Sequence, residues 1–261
     1  MASPFMKKAL LPLVAAFMML SNASAQKDLH ILNHLAIGVD VGTFGVGIDA
    51  SVPFTSFIDI QAGYTMFPGF KFNTSLGMNQ PLGDIRKVPF KAKPLMKGGK
   101  VLVNVTPLPM ITSFHVTAGV YFGSDEMMDI YNVEPIPEVT KANLAINEYN
   151  ASNPNYKMQN YGPALGDYLL QPDEEGNINA KLKVKPVKTY LGIGLGRAVP
   201  KGRVGLKMDL GCVLWGKPSV YCNGMAVEDT NAGGDNAKLL KVVTKIKAYP
   251  VLNFRLCGKI F

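Results

Sequence analysis

Long apolar runs are what this chain lacks. Beyond its first 25 residues none approaches the about 20 residues that a membrane-spanning helix requires, although 48% of the sequence is hydrophobic. A helical inner-membrane protein is thereby excluded. The apolar residues must instead be interleaved with something else, and that pattern favours strands. Cysteine and histidine are also scarce, at three each, and there is one tryptophan. Cys212, Cys222 and Cys257 are an odd number for an oxidising compartment. A Cys212–Cys222 bridge is open, but nothing in the spacing demands it. His30, His34 and His115 are not spaced with the cysteines as metal ligands, so no metal and no cofactor is expected. No nucleic-acid recognition motif accompanies the formal net charge of +8, and nucleic acid is not an expected partner.

Catalytic constellations are missing too. His115 is the one strand-borne histidine, and a hydrogen-bonded interior role accounts for it. Gly192, Gly194 and Gly196 alternate along a strand with no helix following Arg197, so they are not a dinucleotide-binding loop. The sequons at Asn73-Thr74-Ser75 and Asn104-Val105-Thr106 do not by themselves point to a function. The expectation is a protein that is not an enzyme.

What is present begins with an export signal. Lys7 and Lys8 supply a basic start, Ala9 to Leu20 an apolar core, and Ala23-Ser24-Ala25 a small-x-small cleavage site. Residues 1–25 are therefore read as a signal peptide and 26–261 as one domain. Eight alternating runs follow. The first pairs Leu35, Ile37, Val39 and Val41 on one face with Ala36, Gly38, Asp40 and Gly42 on the other. The others lie at 44–51, 57–66, 101–106, 114–122, 190–196, 204–214 and 251–260. Their second faces are rich in glycine, alanine and serine with single charges among them, whereas a soluble lipocalin-like barrel would expose lysine, glutamate and threonine there. Small residues suit the crowded interior of an eight-stranded barrel, which side chains just fill. Turning its charges to lipid instead would cost about 2–4 kcal/mol for each Arg or Lys near the midplane. The apolar faces are thus expected to point outward and the charges inward. Asp40, Asp49, Asp59 and Asp209 would then meet Lys207, Arg255 and Lys259 in a lumen charge network.

Connection lengths agree with this reading. Residues 52–55, 107–112 and 200–203 are short links on one side; on the other lie 42–43, then 67–100, 123–187 and 216–248. Short turns on the periplasmic side and long extracellular loops are the outer-membrane arrangement. Residues 179–185 alternate before Pro186, so strands are expected to continue past the membrane. Tyr64, Tyr121, Tyr190 and Trp215 are candidates for interfacial girdles. Asp235 to Lys247 reads as a short amphipathic loop helix with Lys238, Lys241 and Lys245 on its polar side, suited to a lipid surface or to capping the barrel mouth. A weaker helical stretch covers Val139 to Tyr149. Loop charge is segregated, basic over 71–100 and acidic over 123–180, and anionic lipopolysaccharide or solvation by opposite loops would each answer it.

Several phrases resemble small outer-membrane β-barrel proteins of Bacteroides-type bacteria: His34-Leu35-Ala36-Ile37-Gly38-Val39-Asp40-Val41-Gly42-Thr43, Tyr190-Leu191-Gly192-Ile193-Gly194-Leu195-Gly196-Arg197, Asp209-Leu210-Gly211 with Trp215-Gly216-Lys217-Pro218, and Tyr249-Pro250-Val251-Leu252. The resemblance implies an all-β, antiparallel, up-and-down transmembrane barrel of about eight strands in the OmpA/OmpX style, without catalytic residues. It also implies a place in the outer membrane, contact with its lipid and recognition of the last strand by the assembly machinery. One departure stands out. Counting back from Phe261, the alternate positions are Lys259, Cys257, Arg255 and Asn253, while Leu252, Phe254, Leu256 and Ile260 hold the other phase. Either a bulge near Gly258 shifts the register or Phe261 extends past the paired strand. The functional expectation is a structural or surface-binding barrel with a side-chain-filled lumen; the alternatives are a narrow-channel, porin-like permeation protein and a soluble exported barrel holding an apolar ligand.

Overall fold

The computed structural model describes residues 33–108, 112–155, 157–228 and 247–260. Eight strands close into an antiparallel barrel: β1 (Ala36–Gly42), β2 (Gly45–Pro53), β3 (Ile58–Met66), β6 (Lys97–Val105), β7 (Phe114–Gly123), β12 (Val187–Leu195), β13 (Val204–Leu214) and β16 (Ala248–Lys259). Each pairs with its neighbour in the chain, and β16 returns to β1, so the topology is up-and-down. These are the eight runs expected from the alternation, and the fold is an all-β closed barrel.

The alternation has a physical outcome that is the reverse of a soluble protein. Side chains of β1 run buried, exposed, buried, exposed, and the exposed ones are Ile37, Val39 and Val41. Ile48, Leu191, Ile193, Leu206, Leu210 and Leu256 are likewise at least half exposed on the outer wall. The buried partners are Asp40, Asp49, Gln61, Lys100, Thr117, Lys207 and Arg255. Polar groups thus make the interior and aliphatic groups the surface.

The last strand shows no slip. Its register with β13 is continuous from Leu214↔Ala248 to Val204↔Gly258, and with β1 from Gly42↔Asn253 to Ala36↔Lys259. A bulge at Gly258 is therefore not the answer to the phase of the C-terminal run, and Phe261 itself lies outside the described residues. So do residues 1–32, with the expected signal peptide and His30, and the expected helix from Asp235, with Lys238, Lys241 and Lys245.

The long connections do not remain loops. They build a second, six-stranded antiparallel sheet from β4 (Phe72–Leu82), β5 (Ile85–Pro94), β8 (Glu126–Asn132), β11 (Asn179–Lys183), β14 (Ser219–Cys222) and β15 (Met225–Ala226), in the order β15-β14-β11-β8-β5-β4. The β5-β8-β11-β14 portion repeats the order of the β6-β7-β12-β13 arc of the barrel. Each upper strand is therefore the upward continuation of a wall strand or of its hairpin. The alternating stretch expected past the barrel at 179–185 forms β11. A two-stranded hairpin, β9 (Ala164–Leu165) with β10 (Tyr168–Leu169), lies on the way.

Helix α1 (Pro137–Ser152) occupies the weaker of the two expected helical stretches, extended at both ends. Pro137 sits where its missing N–H costs nothing, and Glu138 in the first turn suits the positive end of the helix dipole. Val139, Thr140, Asn143 and Ile146 are its buried side chains. Thr140 donates to Asp173 O at 2.8 Å, while Asn143 donates to Tyr161 O and accepts from Tyr161 N, both at 2.8 Å. The helix is thus tied to the segment that follows it. Val88, Phe90, Ile130, Val139, Leu170, Ala180, Leu182 and Val220 belong to one buried cluster with Tyr121, Tyr190 and Trp215 of the barrel. One face of the upper sheet therefore continues the lumen side of the wall, and the opposite face continues its outside.

Candidate functional site

Two buried tiers fill the barrel. The polar tier is a connected network. Arg255, on β16, donates from Nε to Asp49 Oδ1 at 2.7 Å, from Nη1 to Ala198 O at 2.7 Å and from Nη2 to Ser51 Oγ at 3.0 Å. Lys100, on β6, pairs with Asp40 and approaches Asp49 Oδ2 at 3.4 Å. Gln61 donates to Asp49 Oδ2 at 2.8 Å and accepts from Asn104 at 3.4 Å. Thr117 donates to Asn104 Oδ1 at 2.8 Å. On the far side Asp209 receives Lys207 Nζ at 2.8 Å and lies 2.7 Å from His115 Nε2. Asp40, Asp49 and Asp209 are thus matched by Lys100, Lys207 and Arg255, with His115 beside them. A buried charge is tolerable only when paired and hydrogen-bonded, and this tier meets that condition.

Glycine makes room for the long side chains. A Cβ at Gly38, on β1, would overlap the Arg255 guanidinium that crosses it to reach β2. A Cβ at Gly211 would stand 2.5 Å from the Tyr190 hydroxyl.

The second tier is aromatic and lies toward the end that carries the upper sheet. Phe44 packs on Tyr121 with ring centroids 5.0 Å apart, Tyr121 on Tyr190 at 5.8 Å, Phe44 on Tyr249 at 6.1 Å and Tyr249 on Trp215 at 5.0 Å. This corrects the girdle expectation for Tyr121, Tyr190 and Trp215, which are buried; Tyr64 alone of the four is on the outer wall, 47% exposed. The phase of the strands explains it, since Tyr121 shares the inner side with His115 and Thr117, and Tyr190 with Gly192. Phe44 also turns inward, because it sits in the β1–β2 turn rather than on the paired strand.

Of the expected charge network, Asp40, Asp49, Lys207, Asp209 and Arg255 lie together in the lumen. Asp59 and Lys259 lie at the opposite, unsheeted mouth, half-buried beside His34, Arg197 and Lys201 around a cavity of about 370 Å³. Lys259 donates there to Lys201 O at 3.2 Å. Lys100 was not among the expected partners. It closes the basic run of 71–100, yet it keeps the inner phase of Leu102 and Asn104, the signal that would have placed it.

No protein-family model matches this chain, and no curated protein matches it. Among solved structures it is similar to Acinetobacter baumannii CarO, at 15% identity over 85% of this chain and 96% of that one, with a TM-score of 0.46. It is also similar to Acinetobacter baumannii CarO2, at 16% identity over 87% of this chain and 98% of that one, with a TM-score of 0.48. The closed barrel is defined by its own strand pairing.

Outside the lumen, the outer face of the upper sheet is mostly basic and aromatic, with Asp129 between Lys93 and Lys181. Lys91, Lys93, Lys181 and Lys183 share it with Tyr131 and Tyr221. Lys181 meets Glu126 at 3.0 Å and Lys183 meets Asp125 at 3.4 Å. The Glu126 hydrogen bond and charge raise the Lys181 pKa above the usual lysine value. Lys183 Nζ stands 5.2 Å over the Tyr221 ring, and Lys71 Nζ 5.8 Å over that of Tyr131. All three cysteines are free, so Cys212 and Cys222 are not bridged. Cys222 donates its thiol to Gln171 O at 3.3 Å, and burial pushes that thiol up to about 11. Among the described residues no group of histidine, cysteine and carboxylate side chains is arranged to hold a metal ion.

Proposed function

We propose that this chain is a non-enzymatic integral protein of the bacterial outer membrane, whose barrel is an anchor and whose upper sheet is the contact surface. The observation that carries the reading is the inverted wall: aliphatic side chains exposed on all eight strands around an interior of paired charges. A soluble protein rarely exposes a contiguous apolar patch beyond a few hundred Å². In hydrocarbon the same wall is at ease, and a closed sheet leaves no backbone edge unsatisfied. Strand lengths fit as well, since β2, β3, β6 and β12 have nine residues and β7 has ten, against the about 9–11 that a tilted strand needs to cross.

The signal peptide at 1–25, kinship with Bacteroides-type small barrels, and delivery of the last strand to the outer-membrane assembly machinery belong to the same reading. Asp40, Asp49, Lys207, Asp209 and Arg255 serve in it as lumen ballast, and outer-membrane lipid is the first partner.

A filled lumen argues against a narrow channel. The cross-section is occupied first by the aromatic tier and then by the charge network, and aqueous pores belong to barrels of about 16–18 strands. A soluble ligand carrier is disfavoured by the exposed aliphatic wall. The deciding experiment is outer-membrane fractionation followed by electrophoresis in SDS with and without boiling. The folded protein should require detergent and migrate differently before heating. Recovery in the aqueous phase with no heat shift would reject the proposal. In planar bilayers the protein should give no resolvable conductance steps; regular steps would favour the channel.

A further inference from the structure

The junction between the barrel wall and the upper sheet carries a feature that the anchor role does not use. On the outer surface, a groove of about 450 Å³ is lined by Lys183, Lys185, Lys217, Ser219, Tyr221 and Asp125, with Pro186 at its edge. Lys185 and Lys217 are exposed, and Lys185 lies along Gly216, whose positive φ of 82° turns the chain out of β13. Ser219 and Tyr221 alternate onto the same face of β14, opposite Lys183 and Lys181 of β11.

Height is the second observation. The exposed apolar wall ends at Phe122 and Val187, which are paired across β7 and β12, and at Leu214 of β13, which is paired with Thr189. Lys185 is two residues beyond Val187, about 7 Å at the rise of an extended chain. Three lysines are therefore concentrated just above the apolar boundary on this arc, facing the direction in which the wall faces lipid. The Asp125 carboxylate is drawn to Lys183, which leaves the Lys185 and Lys217 ammonium groups, among the described residues, as the groove's uncommitted charge.

We propose that this groove binds a phosphate group of the outer-leaflet lipid in which the barrel sits, the phosphorylated glucosamine headgroup of lipopolysaccharide, an inference that rests on the membrane reading above. Lys185 and Lys217 supply the charge, and the Ser219 and Tyr221 hydroxyls donate to the phosphate oxygens. A soluble anion would be met equally well by Lys71, Lys91 and Lys93 farther up the sheet. Only a membrane-borne phosphate is brought to this level by the position of the wall itself. Basic side chains near an anionic bilayer surface strengthen association in the way the groove requires.

The test uses the full-length folded protein, reconstituted into phosphatidylcholine vesicles doped with bisphosphorylated lipid A or with its enzymatically dephosphorylated form. Native mass spectrometry of the re-extracted protein reads retained lipid, and titration with fluorescent lipid A gives the affinity. Wild type should retain the phosphorylated form preferentially, and the doubly substituted Lys185→Ala, Lys217→Ala protein should bind it roughly thirtyfold more weakly. The substitution of Lys91→Ala with Lys93→Ala, higher on the sheet, should leave that affinity in place. Equal retention of both lipid forms, or equal affinity of wild type and the Lys185/Lys217 variant, overturns the proposal. Inorganic phosphate competing at equal concentration would make the groove a site for soluble anion and also overturn it. Heat-modifiability is read on every sample: a normal shift with no phosphate preference rejects this inference alone, whereas no shift and no need for detergent rejects the membrane reading beneath it.

Discussion

Arg255 reaches over Gly38 to donate its Nε to Asp49 Oδ1 at 2.7 Å, so β16 is fastened to β2 across the whole width of β1. The two residues are 206 positions apart and both are fully enclosed. Three strands are thereby locked by one side chain, and the geometry sets the first expectation. Arg255→Met removes the cation and leaves Asp49 with Lys100 and Gln61 alone. Breaking one member of a buried pair costs about 3–5 kcal/mol. Urea unfolding in detergent micelles should show a loss of that size, and a change below 1 kcal/mol would mean that the pair is structurally idle.

Gly38 is the other half of that contact. Gly38→Val should destabilise the barrel by roughly 1–3 kcal/mol through overpacking, because its side chain must displace the guanidinium. Combined with Arg255→Met, the valine should cost far less than it does alone. A double-mutant cycle measures the coupling, and strict additivity would contradict the close approach.

Leu191 stands at the middle of β12 and is half exposed on the outer wall. Under the membrane reading, Leu191→Arg should cost about 2–4 kcal/mol of stability in lipid vesicles. Leu195, in the same phase but nearer the unsheeted mouth, should tolerate the same change better. If Leu191→Arg is neutral in lipid and raises aqueous solubility, the wall is not a lipid-facing one.

Cys222 provides a pH test outside the barrel. Its folded thiol titrates near 11 where an ordinary cysteine titrates near 9. As pH rises past 9 the unfolded thiol ionises while the folded one stays protonated, so the upper sheet should lose stability between about pH 9 and 11 and be unaffected below. Thiol labelling at pH 8 should be slow in the folded protein and rapid in urea. Cys222→Ser should reduce the alkaline loss; an unchanged profile would assign it to other groups.

The barrel was legible because its strands state both of their faces. Aliphatics recur at every second residue, and the positions between carry glycine, small residues and isolated charges, which fixes inside from outside without any further information. The same alternation also held the answer for Tyr121 and Tyr190, which share the inner phase with Thr117 and Gly192; aromatic identity suggested an interface, and phase overruled it. Lys100 went unplaced for the opposite reason, since its neighbours in sequence made it look like one more loop cation.

The upper sheet was mostly hidden. β5 does alternate, with Val88, Phe90 and Ala92 against Lys87, Lys91 and Lys93, but Pro89 and Pro94 interrupt the run and read against a central strand. The structure accommodates Pro89 because pairing with β8 begins only at Phe90, while the Pro89 carbonyl still accepts from Val133 N. β14 has only four residues, and β8 buries Met127 and Ile130, which fall in opposite phases, so neither shows a period. The strands of this sheet are stabilised by the wall they extend, which is a tertiary effect that no local pattern announces.

The return of β16 to β1 carries a kinetic consequence. Ala36 pairs with Lys259, so the contact that completes the ring also has nearly the greatest sequence separation in the molecule. Loop-closure entropy must be met before such a contact rewards it, whereas every other wall pairing is a hairpin or an elongated one. Folding should therefore advance as an open ribbon whose upper storey zips together with its hairpins, and the slow step should be the meeting of the two ends. A chain stopped before β16 would leave β1 and β13 each with a bare row of backbone donors and acceptors, a pair of sticky margins in search of a strand.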